Sequence, residues 1–260
     1  MITMDLNKEL DGRVIYLAGA SGGVGVEAAK LLLMRGANVL MHYRTKSDSL
    51  KELLSNYGPD RVRLTQGDLT IPGDVERMVR ECEETFGKMD AFLNTVGTAL
   101  RIQPFLNTPL EDIERTLNVE LRSVITCMRF VLPSLIRNGG GQVVFVGSDS
   151  GKVGTSGEAV SAACRGGLIS FCKSIAREYA RSNILVNVVC PGPTETSLWD
   201  DLVTNDEFGK KIGTAMVRAI PLRRLAKPVE VAAAAVFLVS PQASFITGQA
   251  ISVSGGLTMS

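Results

Sequence analysis

Three glycines at Gly19, Gly23 and Gly25 sit in the run I-Y-L-A-G-A-S-G-G-V-G, residues 15–25, and together they can hold an anion. Residues 14–17 are apolar and β-leaning, and residues 26–35 carry apolar side chains at helical spacing. The order is strand, tight glycine turn, helix N-terminus. Glycine allows the turn and lets backbone approach a ligand closely. The helix start offers unpaired N–H groups and the positive end of a dipole, to which a pyrophosphate is the natural guest. The spacing is G-x-x-x-G-x-G and not the commoner G-x-G-x-x-G.

A second strand is expected over residues 38–43. Dinucleotide sites usually place an Asp or Glu after it to hold the ribose 2′-hydroxyl. Residues 39–45 contain neither; Arg44 stands there, with Lys46 close by. A cation at that turn suits a 2′-phosphate, so the reading favours NADP(H) over NAD.

The elements that position these residues alternate. Helices are expected over residues 46–57, 74–86 (with Asp74 as its cap), 110–136 (interrupted by the polar Asn118), 158–180 and 228–239. Strands are expected over 61–65, 90–93, 142–147, 184–189 and 245–253. Residues 194–221 read as an irregular lid over a substrate, and residues 98–105 and 197–217 as the pocket, where Phe105, Trp199 and Met216 favour an apolar or aromatic guest. The small residues Ala159, Ala162, Ala163, Gly166 and Gly167 form a close-approach face. Strand–helix alternation with short apolar strands gives an α/β, doubly wound parallel sheet. No linker appears, so residues 1–260 read as a single domain.

The totals exclude several classes. The 260 residues carry 28 basic and 27 acidic side chains, interspersed, for a net charge of +1. Nothing points to a nucleic acid or an anionic membrane. No apolar run of about 18 residues exists to span a bilayer, and the N-terminal stretch, with Asp5 and Glu9, does not read as a signal peptide. The five cysteines are scattered without C-x-x-C, which argues against disulfides and zinc and for a reducing, cytoplasmic setting. The only histidine, His42, has no partners for a metal site.

Read in order, Gly19-x-x-x-Gly23-x-Gly25, Asp68-Leu69, Asn94-x-x-Gly97, Asn118, Ser148, Pro191-Gly192-x-x-x-Thr196 and Thr247-Gly248-Gln249 resemble the short-chain dehydrogenase/reductase family. The likeness is to its 3-oxoacyl carrier-protein reductase branch and covers about residues 10–259. It implies a Rossmann fold, a nicotinamide cofactor, a small-molecule substrate and a homotetramer paired through the helix at 158–180. It also implies that Gly19, Ser21, Gly23, Val24 and Gly25 hold the pyrophosphate. Asp68 and Leu69 would meet the adenine, Asn94 and Gly97 the adenosine ribose side, and Pro191, Gly192, Thr194 and Thr196 the nicotinamide. Ala18 stands where the family often has Thr, and Thr95-Val96 replace Asn-Ala.

The catalytic signature differs more. The family carries a Tyr and, four residues later, a Lys; aligned from Ser148 to Gly167, those positions are Ser161 and Arg165, and no Y-x-x-x-K occurs anywhere in the chain. Carbonyl reduction needs a proton for the nascent alkoxide, which a tyrosine beside a cation can supply. Serine is a weaker, shorter acid, and arginine does not relay protons. The catalytic set implied is Asn118, Ser148, Ser161 and Arg165, with Arg165 also free to meet ribose hydroxyls. Three readings follow. One is an NADP(H)-dependent oxidoreductase on a carbonyl or imine, with the proton from Ser161 through water or from Glu158. The second is a cofactor-binding subunit or regulator without turnover. The third is a non-redox enzyme, as in halohydrin dehalogenases, which pair a serine with an arginine at the lysine position.

Overall fold

The computed structural model describes residues 8–98, 101–204 and 207–259. Expectations that touch Asp5, Ala99, Leu100, Asn205 or Asp206 lie outside them. The strands are β1 (Val14–Ala18), β2 (Asn38–Tyr43), β3 (Val62–Gln66), β4 (Ala91–Asn94), β5 (Gly141–Val146), β6 (Ile184–Pro191) and β7 (Ala250–Val253). They form one sheet in the order β3-β2-β1-β4-β5-β6-β7, every pair parallel. The helices are α1 (Gly23–Met34), α2 (Asp48–Tyr57), α3 (Pro72–Phe86), α4 (Leu110–Leu117), α5 (Ser123–Arg137), α6 (Ser150–Val153), α7 (Ala159–Tyr179), α8 (Ser197–Thr204), α9 (Glu207–Ala219) and α10 (Pro228–Val239). This is the single α/β Rossmann-type domain expected.

Strand β1 shows why the strands read as unbroken apolar runs. Val14, Tyr16 and Ala18 enter a core under α3, α5 and α7, while Ile15 and Leu17 enter a second core under α1, α2 and α10. A sheet buried on both faces has no polar side to alternate with. The strand order reverses between β1 and β4, and the crevice beyond their C-terminal ends is where such folds bind ligands.

Five expectations change. Helix α1 starts at Gly23, so the glycines themselves supply its first turn. Helix α3 starts at Pro72, and Asp74 does not cap it; its carboxylate instead accepts the Asp68 N–H at 2.7 Å. The stretch at 110–136 is α4 and α5 joined by a π turn, Asn118–Arg122. The stretch expected to be irregular at 194–221 carries helices: Thr196 Oγ1 accepts the Trp199 N–H at 3.2 Å and so caps α8, and α9 follows. The last strand shortens to β7, leaving Phe245 fully exposed. Part of the small-residue face of α7 is also used within the chain. A Cβ on Gly166 would lie 3.1 Å from the Gly151 carbonyl oxygen, and one on Gly167 3.4 Å from Leu121.

Candidate active site

At the β1–α1 turn, backbone and not side chain faces the cavity. Gly19 has φ +78°, in the left-handed region that favours glycine. A Cβ on Gly25 would lie 2.1 Å from the Gly19 carbonyl oxygen, so no side chain fits. Gly22 caps α1 without a side chain to occupy the first-turn N–H groups. Gly22, Gly23 and Val24 border the cavity, the Gly22 N–H being spent on the Gly19 carbonyl oxygen at 3.1 Å, and a Cβ on Gly23 would come within 2.9 Å of Thr196.

Two side chains pin the turn. Thr95 Oγ1 lies 3.0 Å from the carbonyl oxygens of both Ala18 and Gly19. His42 Nδ1 accepts the Gly19 N–H at 3.1 Å, and its Nε2 lies 3.0 Å from the Gly67 carbonyl oxygen. That pattern assigns the neutral tautomer with hydrogen on Nε2. Burial holds the His42 pKa below its usual 6.5, against the Gly67 hydrogen bond and the charges of Asp68 and Asp74. The sequence offered His42 no role, because its partners are backbone atoms.

Beyond the turn, burial pulls the Asp68 carboxyl up, but the Thr70 N–H and hydroxyl and the charge of Arg44 hold it below the usual carboxylate range. Leu69 is buried in the first core. Arg44 is exposed at the end of β2. Asn94 Oδ1 accepts the Val96 N–H at 2.8 Å, and its buried Nδ2 has no partner among the described residues.

The other half of the site is a side-chain lock. Glu120, on the π turn, is 2% exposed and Arg165, on α7, is 7% exposed. Arg165 Nη2 donates to Glu120 Oε1 at 2.9 Å and Nη1 to the Val146 carbonyl oxygen at 3.3 Å. Ser161, one turn before Arg165, donates its hydroxyl to Glu120 Oε2 at 2.7 Å. The Thr98 N–H reaches Glu120 Oε1 at 3.3 Å. Glu158 precedes α7 in the same cavity. Burial, then the negative charge of Glu120, push its carboxyl up to about 7, against Arg165 and a hydrogen bond with Thr155. Ser148 Oγ accepts from the Ser150 N–H at 3.2 Å and the Ser150 hydroxyl at 2.9 Å.

A single cavity of about 720 Å³ joins both halves. Of the expected site residues it brings together Gly23, Val24, Gly97, Ser148, Ser161, Arg165, Pro191, Gly192, Thr194 and Thr196. Gly19, Ser21, Gly25, Arg44, Asp68, Leu69 and Asn94 do not line it. Neither does Asn118, whose side-chain oxygen accepts from Arg122 at 3.3 Å; the residue on the cavity wall is Glu120, two positions further round the π turn. Trp199 and Met216 line it as expected, whereas Phe105 is exposed and outside it.

The comparisons with known proteins agree with this geometry. A family model described as enoyl-(acyl carrier protein) reductase matches residues 19–258. The chain belongs to the short-chain dehydrogenase/reductase family. It is 34% identical over 250 residues to the 3-oxoacyl-[acyl-carrier-protein] reductase of Vibrio cholerae serotype O1, covering 96% of this chain and 99% of that one. It is 32% identical over 256 residues to oxidoreductase UcpA of Salmonella typhimurium, covering 96% of each. A crystal structure of the 3-ketoacyl-(acyl-carrier-protein) reductase of Brucella melitensis complexed with NADH superposes with TM-score 0.87 at 30% identity, covering 96% of this chain and all of that one. As a short-chain dehydrogenase/reductase it is of oxidoreductase type, in a family that binds a nicotinamide cofactor. The glycine cradle fits such a group: Gly22, Gly23 and Val24 line the cavity, and a Cβ on Gly23 would take up space there, 2.9 Å from Thr196.

Glu120 is the residue that sequence reasoning missed in this short-chain dehydrogenase/reductase. A signal existed. Thr116, Glu120, Val124, Cys127 and Val131 lie at helical spacing on one stripe, and all are buried. A carboxylate on a core stripe demands a buried partner.

Proposed function

We propose that the protein is an NADP(H)-dependent oxidoreductase acting on a small molecule with a C=O or C=N bond, with the proton-donor site rebuilt around Glu120 and Glu158. The observation that carries this is the one cavity in which the glycine cradle opens onto Ser148, Glu158 and Ser161. The first-turn N–H groups of α1 would hold the pyrophosphate and Arg44 a 2′-phosphate. Pro191, Gly192, Thr194 and Thr196 would border the nicotinamide, which when bound supplies or accepts hydride.

Ser161 and Arg165 stand at the positions of the family's Tyr and Lys. Ser161 directs its hydrogen to Glu120 and not to a substrate. Arg165 is tied to Glu120 and Val146 and keeps further N–H donors for ribose hydroxyls. Where a proton is required, Glu158 is the group titrating near neutrality on this wall. Ser148 has both lone pairs engaged by Ser150, so its own hydrogen is directed to the substrate. We further propose a homotetramer, supported by the exposed Ala159 and Ala163 on α7.

Titration with NADPH and NADH, followed by turnover against paired ketones and cyclic imines, tests the reading. Tighter binding of NADPH with turnover supports it. Binding without turnover of any substrate favours a regulatory or silent subunit, and absence of binding overturns it.

A further inference from the structure

The polarity of the substrate wall is unusual for a carbonyl reductase. At residue 161 the hydroxyl gives its single hydrogen to Glu120 Oε2 at 2.7 Å, and Glu120 Oε1 pairs with Arg165 at 2.9 Å. Toward the cavity, Ser161 Oγ can therefore only accept. Glu158 adds a carboxyl on the same wall. Arg165, the cation lining this cavity among the described residues, is already committed to Glu120. The same cavity is lined by apolar residues, Trp199, Ile212 and Met216 from α8 and α9, and Leu257. Beside Ser161 and Glu158 a ketone oxygen meets acceptors and has Ser148 as its donor, whereas a nitrogen bearing N–H⁺ is received by Ser161 and Glu158 together.

We infer that the reducible group is a cationic C=N, an iminium whose N–H⁺ faces Ser161 Oγ and Glu158 while its apolar body lies under the lid. The inference rests on the reductase reading and names the substrate class of that same site. The step balances without a proton donor. The iminium carbon takes a hydride from the reduced nicotinamide, a C–H bond forms, and the C=N π pair settles on nitrogen and cancels its charge. The nicotinamide leaves oxidised and the substrate leaves as an amine, which takes its proton from solvent or from Glu158. A site that has lost a strong acid is thereby matched to a substrate that requires none.

The test is calorimetric titration of NADP⁺-loaded protein with 1,2,3,4-tetrahydroisoquinoline, a cationic product analogue, and with the neutral alcohol 2-tetralol. The amine is expected to bind at least tenfold tighter. Glu158→Gln and, separately, Ser161→Ala should each lower that ratio several-fold, with folding checked by Tm. The ratio in the unchanged protein should grow as pH rises through 7, as Glu158, facing Glu120, Arg165 and Thr155, loses its proton. Alcohol binding equal to amine binding, a ratio untouched by both substitutions, or no binding of either compound overturns the inference. Failure to bind NADP⁺ overturns the cofactor reading instead, and the same amine-to-alcohol ratio on cofactor-free protein then decides this one.

Discussion

The glycine half and the carboxylate half of this cavity are built from different materials. The first is backbone: glycines that cannot carry a Cβ, a helix start without a side-chain cap, and two side chains that bond only main-chain atoms. The second is side chain: a buried carboxylate that commits a serine and an arginine at once. A backbone cradle is set by sterics and leaves few acceptable substitutions. A side-chain lock can be rebuilt with a few exchanges while the fold beneath it stays the same. The proposed reading draws on both properties: a glycine cradle fixed by sterics, and beside it a side-chain wall free to take its own polarity.

The largest effect should come from adding a side chain to the cradle. Gly25→Val places atoms inside contact distance of the Gly19 carbonyl oxygen, where even a Cβ sits at 2.1 Å. The expected outcome is loss of measurable NADPH binding by fluorescence titration, with a lowered Tm. Retained binding would break the claim that this half is steric.

Next comes the lock. Arg165→Ala leaves Glu120 buried without its charge partner, and breaking a buried pair by removing one member costs about 3–5 kcal/mol. Thermal unfolding should show the drop, and Glu120→Gln in the same chain should recover much of it. If the single change is silent in Tm, Glu120 is not locked and the contrast between the halves fails. A companion experiment asks about chemistry. Ser161→Tyr with Arg165→Lys should not by itself yield ketone reduction, because the Glu120 carboxyl beside residue 161 opposes the phenolate that proton donation would leave. Adding Glu120→Gln should remove that opposition, measured as NADPH oxidation with a simple ketone.

The two halves also differed in how far the sequence revealed them. Gly19, Gly23 and Gly25 were readable because a steric requirement leaves a residue type at a fixed spacing, and the alternating elements were readable because both sheet faces are buried. The π turn was not. It adds one residue to a helical turn and carries Glu120, not Asn118, to the cavity, and a polar interruption in a helix does not state which neighbour will point inward. Helices α8 and α9 were not legible because apolar residues such as Trp199, Ile212 and Met216 line a cavity and not a core, so composition alone read as loop. His42 was missed because nothing in a sequence marks a side chain whose partners are carbonyl and amide groups brought in from β1 and β3.

A smaller effect should follow from Arg44→Asp. Hydrogen bonds to charged groups contribute about 1.5–3 kcal/mol, so the NADPH preference should fall by about tenfold or more, while NADH affinity changes little. Equal affinities in the unchanged protein would remove the 2′-phosphate argument and leave the cradle untouched.

The smallest effect concerns the one imidazole in the backbone half. His42 is neutral in the folded protein, accepting from Gly19 and donating to Gly67, with burial as the main cause of its lowered pKa. In the unfolded chain it titrates near 6.5. Above that pH neither state binds the proton, and the contribution of His42 to stability is complete. As pH falls from 6.5 toward the folded value, the unfolded chain gains the proton first, so stability declines, and it levels off below the folded value. Protonation would also replace the acceptor of the Gly19 N–H with a donor, loosening the turn that faces the pyrophosphate. Between pH 8 and pH 5, the Tm advantage of the unchanged protein over His42→Gln should therefore shrink by a few degrees, and NADPH affinity should weaken in the unchanged protein more than in the variant. Parallel Tm and affinity curves for the two proteins would show that this half of the site has no titrating part, and would make the contrast with the carboxylate lock sharper still.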